Sequence, residues 1–290
     1  MTLLDGILGS SHATIVPGVY DALSARVAAR AGAKLLYMTG FGVAGAGFGV
    51  PDLGLVSATE MIERVGVIAA AAAPVPLIAD GDNGHGGPLN AAKLTRAYER
   101  AGAVCIQLED QVFPKRCGHM ENKEVVSRQD GAQRIRAAAV ARASKSFKII
   151  ARTDSRATHG LDEALARGEV FLNAGADILF IEAPRNAEEL RRIADAFKGT
   201  PLVANLVEDG KTPLLTPREL EILGYRIILY PISALLAVTR RLEEVYALLV
   251  KGDRNSLDGS RASFDYYNQV MNLPEMLAVT NALSRTNSEE

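Results

Sequence analysis

Residues 96–110, RAYERAGAVCIQLED, contain the pattern that decides the fold. A helical segment runs into Ala101-Gly102-Ala103, and the apolar run Val104–Glu109 follows and ends in acidic residues. A glycine just past a helix end closes the helix in a left-handed conformation, and small alanines let the chain turn tightly. The stretch therefore predicts a helix, a short turn and a buried strand with carboxylates at its carboxyl end.

The same junction recurs twice, as Ala31-Gly32-Ala33 and Ala174-Gly175-Ala176. Near-continuous apolar runs, typical of parallel strands buried on both faces, alternate with the helical segments. The repetition predicts an α/β fold, and a (β/α)8 barrel of the TIM type is favoured over an open doubly wound sheet. The predicted strands are Ala13–Pro17, Lys34–Met38, Pro76–Asp80, Val104–Glu109, Lys148–Thr153, Asp177–Glu182, Pro201–Asn205 and Arg226–Tyr230.

Helical segments separate the predicted strands, and more helix follows the eighth strand than one barrel unit needs. We expect one domain over residues 1–290, with a C-terminal helical extension over about residues 233–283 that packs partly on another subunit. The segments between strands are Tyr20–Arg30, Ala58–Ala72, Asn90–Arg100, Arg128–Ser144, Leu161–Leu172, Ala187–Phe197 and Pro217–Leu223, and the later ones are Ser233–Lys251, Ser256–Val270 and a stretch to about Leu283.

The composition is that of an ordinary globular protein. Of the 290 residues 48% are hydrophobic and 23% charged, and the net charge of −2 gives no basic excess for binding nucleic acid. The longest apolar run, Val67–Ala79, contains two prolines and is too short to span a bilayer. The N-terminal segment contains Asp5 and no cationic stretch, so it is a poor signal peptide. For the two cysteines free thiols fit better than the alternative, one disulfide. We therefore expect a cytoplasmic protein with no nucleic-acid or membrane partner.

Polar side chains stand where the predicted strands end, and this is where βα barrels carry their active sites. Asp80, Asp82 and Glu109 follow adjacent strands and would repel one another without a cation. Oxygen ligands with no His or Cys beside them suit Mg²⁺. Helix capping or pairing with Arg152 is the alternative for any one carboxylate, but the set of three favours a metal.

The segment after the fourth strand contains a cysteine with cationic neighbours. Lys115, Arg116 and His119 surround Cys117, and such neighbours stabilise a thiolate and lower the pKa of the cysteine. A long polar loop after a barrel strand is typical of a lid. An incidental surface thiol is the alternative. Cys105, inside an apolar strand, is predicted to be an inert core residue.

The segment Lys115-Arg116-Cys117-Gly118-His119 resembles the cysteine loop of carbon–carbon lyases in the isocitrate lyase and phosphoenolpyruvate mutase superfamily. This branch includes dimethylmalate lyase, methylisocitrate lyase and petal death proteins. The resemblance covers roughly residues 10–250. It includes Tyr37-Met38-Thr39-Gly40, Pro51-Asp52-Leu53-Gly54, Asp80-Gly81-Asp82, Leu108-Glu109-Asp110-Gln111, Ala151-Arg152-Thr153-Asp154, Glu182-Ala183-Pro184 and Asn205.

The resemblance implies a (β/α)8 barrel in a homotetramer, a dimer of dimers whose final helix is exchanged between subunits. It also implies Mg²⁺ or Mn²⁺ held by Asp80, Asp82 and Glu109, partly through water. A small hydroxy or keto dicarboxylic acid would be the partner. The implied substrate contacts are backbone N–H groups around Thr39, Gly40 and Phe41, the Arg152 side chain, and the site positions Asp52, His119, Glu182 and Asn205.

The reaction that the resemblance implies is cleavage of a 2-hydroxy dicarboxylate to an α-keto acid and a carboxylic acid. The metal polarises the C2 oxygen, and Tyr37 is the candidate base that accepts its proton. Breaking C2–C3 leaves an enediolate that Arg152 and the loop cations, Lys115 and Arg116, stabilise. Cys117 then protonates it as general acid.

The residues after the cysteine loop bear on the substrate. Methylisocitrate lyases commonly have Arg-Pro-Asn-Lys there, whereas this chain has Met120-Glu121-Asn122-Lys123, without the cation that a third carboxylate would need. A 2,3-dialkylmalate therefore fits better than 2-methylisocitrate, with pyruvate as the expected keto acid.

Three alternatives stay open. An oxaloacetate acetylhydrolase would give oxalate and acetate, but those enzymes have a serine near strand eight where this chain has Pro231. Enzymes that act on phosphorus–carbon bonds, such as phosphonopyruvate hydrolase, lack the cysteine loop. A barrel that binds a metabolite without catalysis is disfavoured by Cys117, the three carboxylates, Arg152 and Glu182.

Overall fold

The computed structural model describes residues 2–116, 123–208, 210, 212–213 and 215–286, with side chains up to residue 280. Eight parallel strands lie within these ranges, so the prediction of eight strands is confirmed. They are β1 (Thr14–Val19), β2 (Leu36–Met38), β3 (Leu77–Asp80), β4 (Cys105–Glu109), β5 (Lys148–Thr153), β6 (Ile178–Ile181), β7 (Val203–Asn205) and β8 (Ile227–Tyr230).

The strands form a nearly closed barrel. Their order is β6-β5-β4-β3-β2-β1-β8-β7, so β1 pairs with both β2 and β8. A parallel bridge between Leu179 and Leu202 brings the two ends of this order together. All carboxyl ends of the strands consequently meet at one end of the barrel, which confirms the predicted architecture and brings the strand-end residues together.

Helices follow the strands and cover the barrel. Those of the barrel are α1 (Leu3–Gly9), α2 (Ala22–Arg30), α3 (Gly40–Gly42), α4 (Ala58–Ala72), α5 (Pro88–Ala101), α6 (Arg128–Ala141), α7 (Ser155–His159), α8 (Leu161–Asn173), α9 (Ala187–Ala196) and α10 (Pro217–Leu223). A π-helical turn, Val43–Gly47, follows α3. The later helices are α11 (Ser233–Val250), α12 (Phe264–Val270) and α13 (Leu273–Thr286), with a 3₁₀ turn at Asn255–Leu257.

The glycine of each repeated junction has the conformation that the sequence predicts. The φ angles of Gly32, Gly102 and Gly175 are +92°, +102° and +107°. A side chain is strained in this region, whereas glycine is not. Each glycine therefore lets the chain turn sharply from the end of a helix into the next strand of the barrel.

Two apolar layers hold the barrel together. Inside it, alternate strand residues such as Val16, Ile78 and Ile150 form one buried cluster with Cys105 and with Leu4 of α1. Outside, the other strand faces pack on the helices. Cys105 is fully buried, and burial raises the pKa of its thiol well above the ordinary value. It is therefore the unreactive core residue that the sequence predicts.

The structure corrects several predicted boundaries. The predicted helix Ser256–Val270 is wrong, because the chain makes only a 3₁₀ turn and then α12, with Gly259 at φ +81° between them. The predicted helix at Tyr20 begins at Ala22, where Asp21 caps it. Helices α1, α3 and α7 and the π-helical turn were not predicted, since each is only three to seven residues long.

By contact density the chain divides into two compact units, Met1–Leu235 and Leu236–Glu290. The first contains the barrel and the second most of α11 with α12 and α13. The prediction of a single domain over 1–290 stays a prediction. None of the described helices combines the length and the apolar character needed to cross a membrane.

Candidate active site

The carboxyl ends of the strands surround a cavity. Its polar wall combines carboxylates with cations, and its apolar wall comes from α3, β6, β8 and the segments after β7 and β8. The polar lining residues are Tyr37, Thr39, Asp52, Asp80, Glu109, Lys115, Arg116, Arg152, Glu182 and Asn205; the apolar ones are Phe41, Phe180, Val207, Leu229, Pro231 and Ile232.

The carboxylate of Asp80 is fixed by backbone N–H groups. The carboxylate of Asp80 accepts from the N–H of Gly40 over 3.2 Å and from the N–H of Asp82 over 3.1 Å. A Cβ on Gly40 would lie 2.8 Å from Oδ2 of Asp80, so glycine is what allows this approach. Thr39 caps α3, with its Oγ1 accepting from the N–H of Gly42. The β2 loop thus presses on the carboxylate of Asp80.

Lys115 supplies positive charge between two of the carboxylates. Its Nζ contacts Oδ1 of Asp52 and lies 2.7 Å from Oδ1 of Asp82, and its side chain is only 5% exposed. The neighbouring residue, Arg116, is held by its backbone, because its N–H and C=O both pair with the side chain of Gln111. This double contact fixes the chain just before residue 117.

Arg152 lies at the centre of a second group of carboxylates. Its Nε is 2.9 Å from Oδ2 of Asp154 and 3.4 Å from Oε2 of Glu109. Its Nη2 is 3.1 Å from Oε2 of Glu182, and its guanidinium lies 5.1 Å from the ring centroid of Phe180. Such a many-sided pairing orients the guanidinium within the cavity wall.

Glu182 is completely buried and is held by its own strand end. The N–H of Ala183 turns back to Oε1 of Glu182 over 2.8 Å, and Ala183 adopts φ +55° to do so. This conformation is strained for a residue with a side chain. The amide of Asn205 donates to Oε2 of Glu182 over 3.2 Å, while its Oδ1 is buried without a hydrogen-bond partner.

Burial shifts the pKa of most acidic groups in the site. Burial, reinforced by Asp82, raises the pKa of Asp80 to about 6. Burial also raises the pKa of Asp52 and, more strongly, that of Glu109. The phenol of Tyr37 is buried beside Asp80, and its pKa lies well above the ordinary value. Tyr37 is therefore protonated at neutral pH, and its hydroxyl can donate a hydrogen bond in this state.

Comparison with known proteins identifies the family. A sequence profile described as phosphoenolpyruvate phosphomutase matches residues 6–250. The chain belongs to the phosphoenolpyruvate mutase/isocitrate lyase superfamily. The resemblance stated from the motifs is thus confirmed, as is the fold that it implies.

Three proteins with different activities are similar to this chain. A 2,3-dimethylmalate lyase of Eubacterium barkeri is 42% identical over 94% of both chains. An oxaloacetate acetylhydrolase in complex with 3,3-difluorooxalacetate superimposes with a TM-score of 0.92 at 34% identity, over 97% of this chain and 96% of that one. A phosphonopyruvate hydrolase complex with oxalate and Mg²⁺ gives 0.85 at 30% identity, over 96% of each chain.

The structure brings most of the predicted site residues to one cavity. All the described ones line it except Gly40 and Asp82, which lie beside it through their contacts with Asp80 and Lys115. Cys117 and His119 lie outside the described residues. The roles assigned to these side chains stay predictions.

The carboxylates of this superfamily member fit a hydrated Mg²⁺ ion. Among the described residues no three His, Cys, Asp or Glu side chains are grouped closely enough to enclose a metal by themselves. Mg²⁺ usually keeps several waters and uses only one or two carboxylates, so Asp80 and Asp82 can suffice. Oε1 of Glu109 is buried without a hydrogen-bond partner and can accept from a metal-bound water. The donor set is oxygen only, as a hard ion requires.

The sequence analysis gave no role to three buried side chains around the cavity, although Asp154 and Lys123 stand in segments quoted there. Gln107 on β4 donates to Oδ1 of Asp80 over 3.3 Å, and its Oε1 is buried without a hydrogen-bond partner. A lone polar residue in the run CIQLE was the available signal. The other two are Asp154 and Lys123: the carboxylate of Asp154 accepts hydrogen bonds from both Arg152 and Lys123. They are 31 residues apart, so no local pattern could predict their contact.

Proposed function

We propose that the protein is a Mg²⁺-dependent carbon–carbon lyase that cleaves a 2-hydroxy dicarboxylate of the 2,3-dialkylmalate type to pyruvate and a short carboxylic acid. The observation that carries the proposal is one cavity in which Arg152 and the carboxylates Asp80 and Glu109 face an apolar wall. Arg152 suits a substrate carboxylate, the acidic group suits a metal, and the apolar wall suits alkyl substituents. The 42% identity to a 2,3-dimethylmalate lyase supports it.

The charges in the cavity favour a dialkylmalate over 2-methylisocitrate. Three described lining residues are cations: Lys115 pairs with two carboxylates and Arg152 with three, and Arg116 directly precedes Cys117. Phe180, Val207, Leu229, Pro231 and Ile232 offer no charge. A third substrate carboxylate would lose its water against this wall without gaining a partner, which is costly. A methyl group there is stabilised by burial.

In the proposed mechanism the chain's own residues bind the substrate and move its proton. Arg152 binds substrate oxygens, and the phenol of Tyr37 donates a hydrogen bond to the reacting oxygen. Because Tyr37 is protonated at rest, we assign the proton acceptor to Asp52, a carboxylate whose burial raises its pKa. Mg²⁺, when bound by Asp80, Asp82 and Glu109, supplies Lewis-acid polarisation of that oxygen.

The carbon–carbon step then follows from the position of the negative charge. Loss of the C2 hydroxyl proton to Asp52 lets the C2 carbonyl form while the C2–C3 bond breaks. The electron pair of that bond moves onto the leaving carboxylate as an enediolate, which Arg152 and the loop cations stabilise. Cys117 donates a proton to C3, and the protonated Asp52 later returns a proton to solvent and the cysteine regains one.

The proposal is tested by a substrate panel with purified protein and Mg²⁺. We expect 2,3-dimethylmalate to release pyruvate, followed through a coupled dehydrogenase, and isocitrate and 2-methylisocitrate to react far more slowly. A chain that turns over 2-methylisocitrate fastest would contradict the assigned role of the apolar wall.

Oxaloacetate hydrolysis is the second candidate, favoured by the fit to oxaloacetate acetylhydrolase. In this chain Pro231 lines the cavity at the end of β8, so the position offers no hydroxyl group. Formation of oxalate and acetate from oxaloacetate, with no turnover of any alkylmalate, would assign the protein to that class. Phosphate release from phosphonopyruvate would indicate the phosphorus–carbon branch, and binding without turnover a non-catalytic barrel.

The metal requirement should depend on pH. A proton competes with Mg²⁺ for Asp80, whose pKa is raised to about 6, so affinity for Mg²⁺ falls as pH drops through this value. At limiting Mg²⁺ we expect an acid limb near pH 6 that moves to lower pH when Mg²⁺ is raised. EDTA should abolish the activity. Initial rates from pH 5 to 8 at two Mg²⁺ concentrations measure this. An acid limb at the same pH for both Mg²⁺ concentrations would contradict the assignment of Asp80 as a metal ligand.

We also propose a homotetramer built from helix-swapped dimers. In the barrel, Leu23, Val27 and Ile15 are exposed apolar residues, and Ile15 is 51% exposed although it belongs to β1. Helix α11 buries none of its residues and exposes Leu236, Leu242 and Tyr246. A second copy that covers such faces would remove apolar surface from water. The cytoplasmic location remains a prediction.

A further inference from the structure

A chain of buried ion pairs leads from Arg152 to Lys123. The carboxylate of Asp154 is completely buried and accepts from both cations. Nε of Arg152 donates to Oδ2 over 2.9 Å and Nη2 to Oδ1 over 3.0 Å, in a bidentate pair. On the other side, Nζ of Lys123 donates to Oδ1 over 2.6 Å, and the Lys123 side chain is 1% exposed.

Asp154 occupies a helix-capping position without capping the helix. It directly precedes α7, where an aspartate normally accepts from the first backbone N–H groups. Its side chain makes no such bond. The carboxylate pairs instead with Arg152 and Lys123. Its role is therefore to hold these two cations, not to cap α7.

A second buried carboxylate fixes the backbone of Asp154. The N–H of Asp154 donates to Oδ1 of Asp110 over 3.0 Å. Oδ2 of Asp110 in turn accepts from the hydroxyl of Thr153 over 2.6 Å and from Nη1 of Arg167 over 3.0 Å. The carboxylate that meets Arg152 is therefore held from behind.

The charge around Arg152 requires a second cation. Arg152 contacts Glu109, Asp154 and Glu182, three buried carboxylates against one guanidinium. Lys123 supplies a second positive charge to Asp154, and together the two cations keep the pKa of Asp154 below its ordinary value despite burial. A buried ion is stabilised only by its partners. Without Lys123, Arg152 alone would compensate the negative charge of Asp154, and less of its positive charge would be available to a substrate.

We propose that Lys123 and Asp154 are positioning residues for Arg152: Asp154 aims the guanidinium into the cavity, and Lys123 neutralises Asp154 so that Arg152 presents its positive charge to an anionic substrate. This rests on the proposed function, because it takes Arg152 as the group that binds substrate oxygens. Neither residue lines the cavity, and both act through Arg152.

The test compares Lys123→Met with Lys148→Met. Lys148 starts β5, the strand that carries Arg152, and pairs with Asp5 over 2.9 Å at the opposite end of the barrel. Two quantities are measured in each variant: KM and kcat for 2,3-dimethylmalate, and the Kd of oxalate in the presence of Mg²⁺ by calorimetry. Oxalate is a small dianion that needs no proton transfer, so its affinity reports on anion binding in the cavity without the chemical step, and Mg²⁺, Lys115 and Arg116 are the same in every variant compared.

For Lys123→Met we expect KM and the oxalate Kd to rise about 10- to 100-fold, the range of a charged hydrogen bond, with a smaller change in kcat. Lys123→Arg should restore most of the loss, and Lys148→Met should match the wild type. Unchanged KM and Kd in Lys123→Met, or equal losses in both methionine variants, would overturn the proposal.

Two further outcomes also distinguish the possibilities: an unfolded variant and a wild type without lyase activity. If circular dichroism finds Lys123→Met unfolded, Lys123→Gln retains a donor for Asp154 without the charge, and the same rise in Kd is expected. If the wild type binds oxalate but cleaves no hydroxy acid, the lyase proposal fails, while the oxalate affinities still decide whether Lys123 acts on Arg152.

Discussion

Replacing Cys117 by serine should lower kcat for 2,3-dimethylmalate by about 10²- to 10⁴-fold, the range measured for loss of a general acid. A serine hydroxyl fills nearly the same volume but is a far weaker acid than a thiol flanked by Lys115, Arg116 and His119. The variant should still bind oxalate with Mg²⁺, because Arg152 and the carboxylates are unchanged. Steady-state rates and calorimetry together separate lost proton transfer from lost binding.

Cys105→Ala is the matched control for this prediction. Cys105 is buried in the barrel interior, and its substitution should leave kcat within the range of the wild type. Wild-type turnover in Cys117→Ser would show that another group protonates the enediolate. Equal losses in both cysteine variants would point to damage to the fold instead of to the chemistry.

Arg152→Lys should lower kcat/KM by about 10²- to 10³-fold, the cost of removing one donor that stabilises developing negative charge. Lysine keeps the charge but has no planar group to pair with Asp154 through two nitrogens while also reaching Glu182. The substrate carboxylate and the enediolate would therefore meet a misplaced ammonium. Kinetics with 2,3-dimethylmalate measure the loss, and the thermal midpoint checks the fold.

The control for Arg152→Lys is Arg156→Lys. Arg156 also makes a bidentate pair, with Glu189 at 2.8 and 2.6 Å, and its side chain is 7% exposed. It does not line the cavity, so its substitution should affect stability more than kcat/KM. Nearly unchanged kcat/KM in Arg152→Lys would contradict the substrate-binding role of Arg152.

The part of the fold that could be predicted rests on local patterns. Each Ala-Gly-Ala junction depends on the φ angle of one glycine, such as +102° at Gly102. The buried strands depend on continuous apolar runs. In a parallel barrel every strand end faces the same way, so Asp80, Glu109, Arg152, Glu182 and Asn205 were placed together by topology alone. The predicted cavity therefore needed no knowledge of distances.

The rest depends on contacts between distant residues and on short turns. The position of Lys115 between Asp52 and Asp82 joins residues 63 and 33 positions away from it, and no periodicity marks such a pairing. Gln107 stands out only as a lone polar residue in an apolar run, and its partner is known only once β3 brings Asp80 beside it. The raised pKa of Tyr37 comes from burial by other strands, so the sequence could suggest a base but not its protonation state.

The most direct test of the lyase proposal is NMR spectroscopy of the products formed from 2,3-dimethylmalate and Mg²⁺ in D₂O. Cleavage of C2–C3 followed by protonation of an enediolate predicts equal amounts of pyruvate and propionate, with one deuterium at C2 of the propionate at early times. The products should fail to form in Cys117→Ser. No cleavage of 2,3-dimethylmalate, with oxalate and acetate appearing from oxaloacetate under the same conditions, would contradict the account.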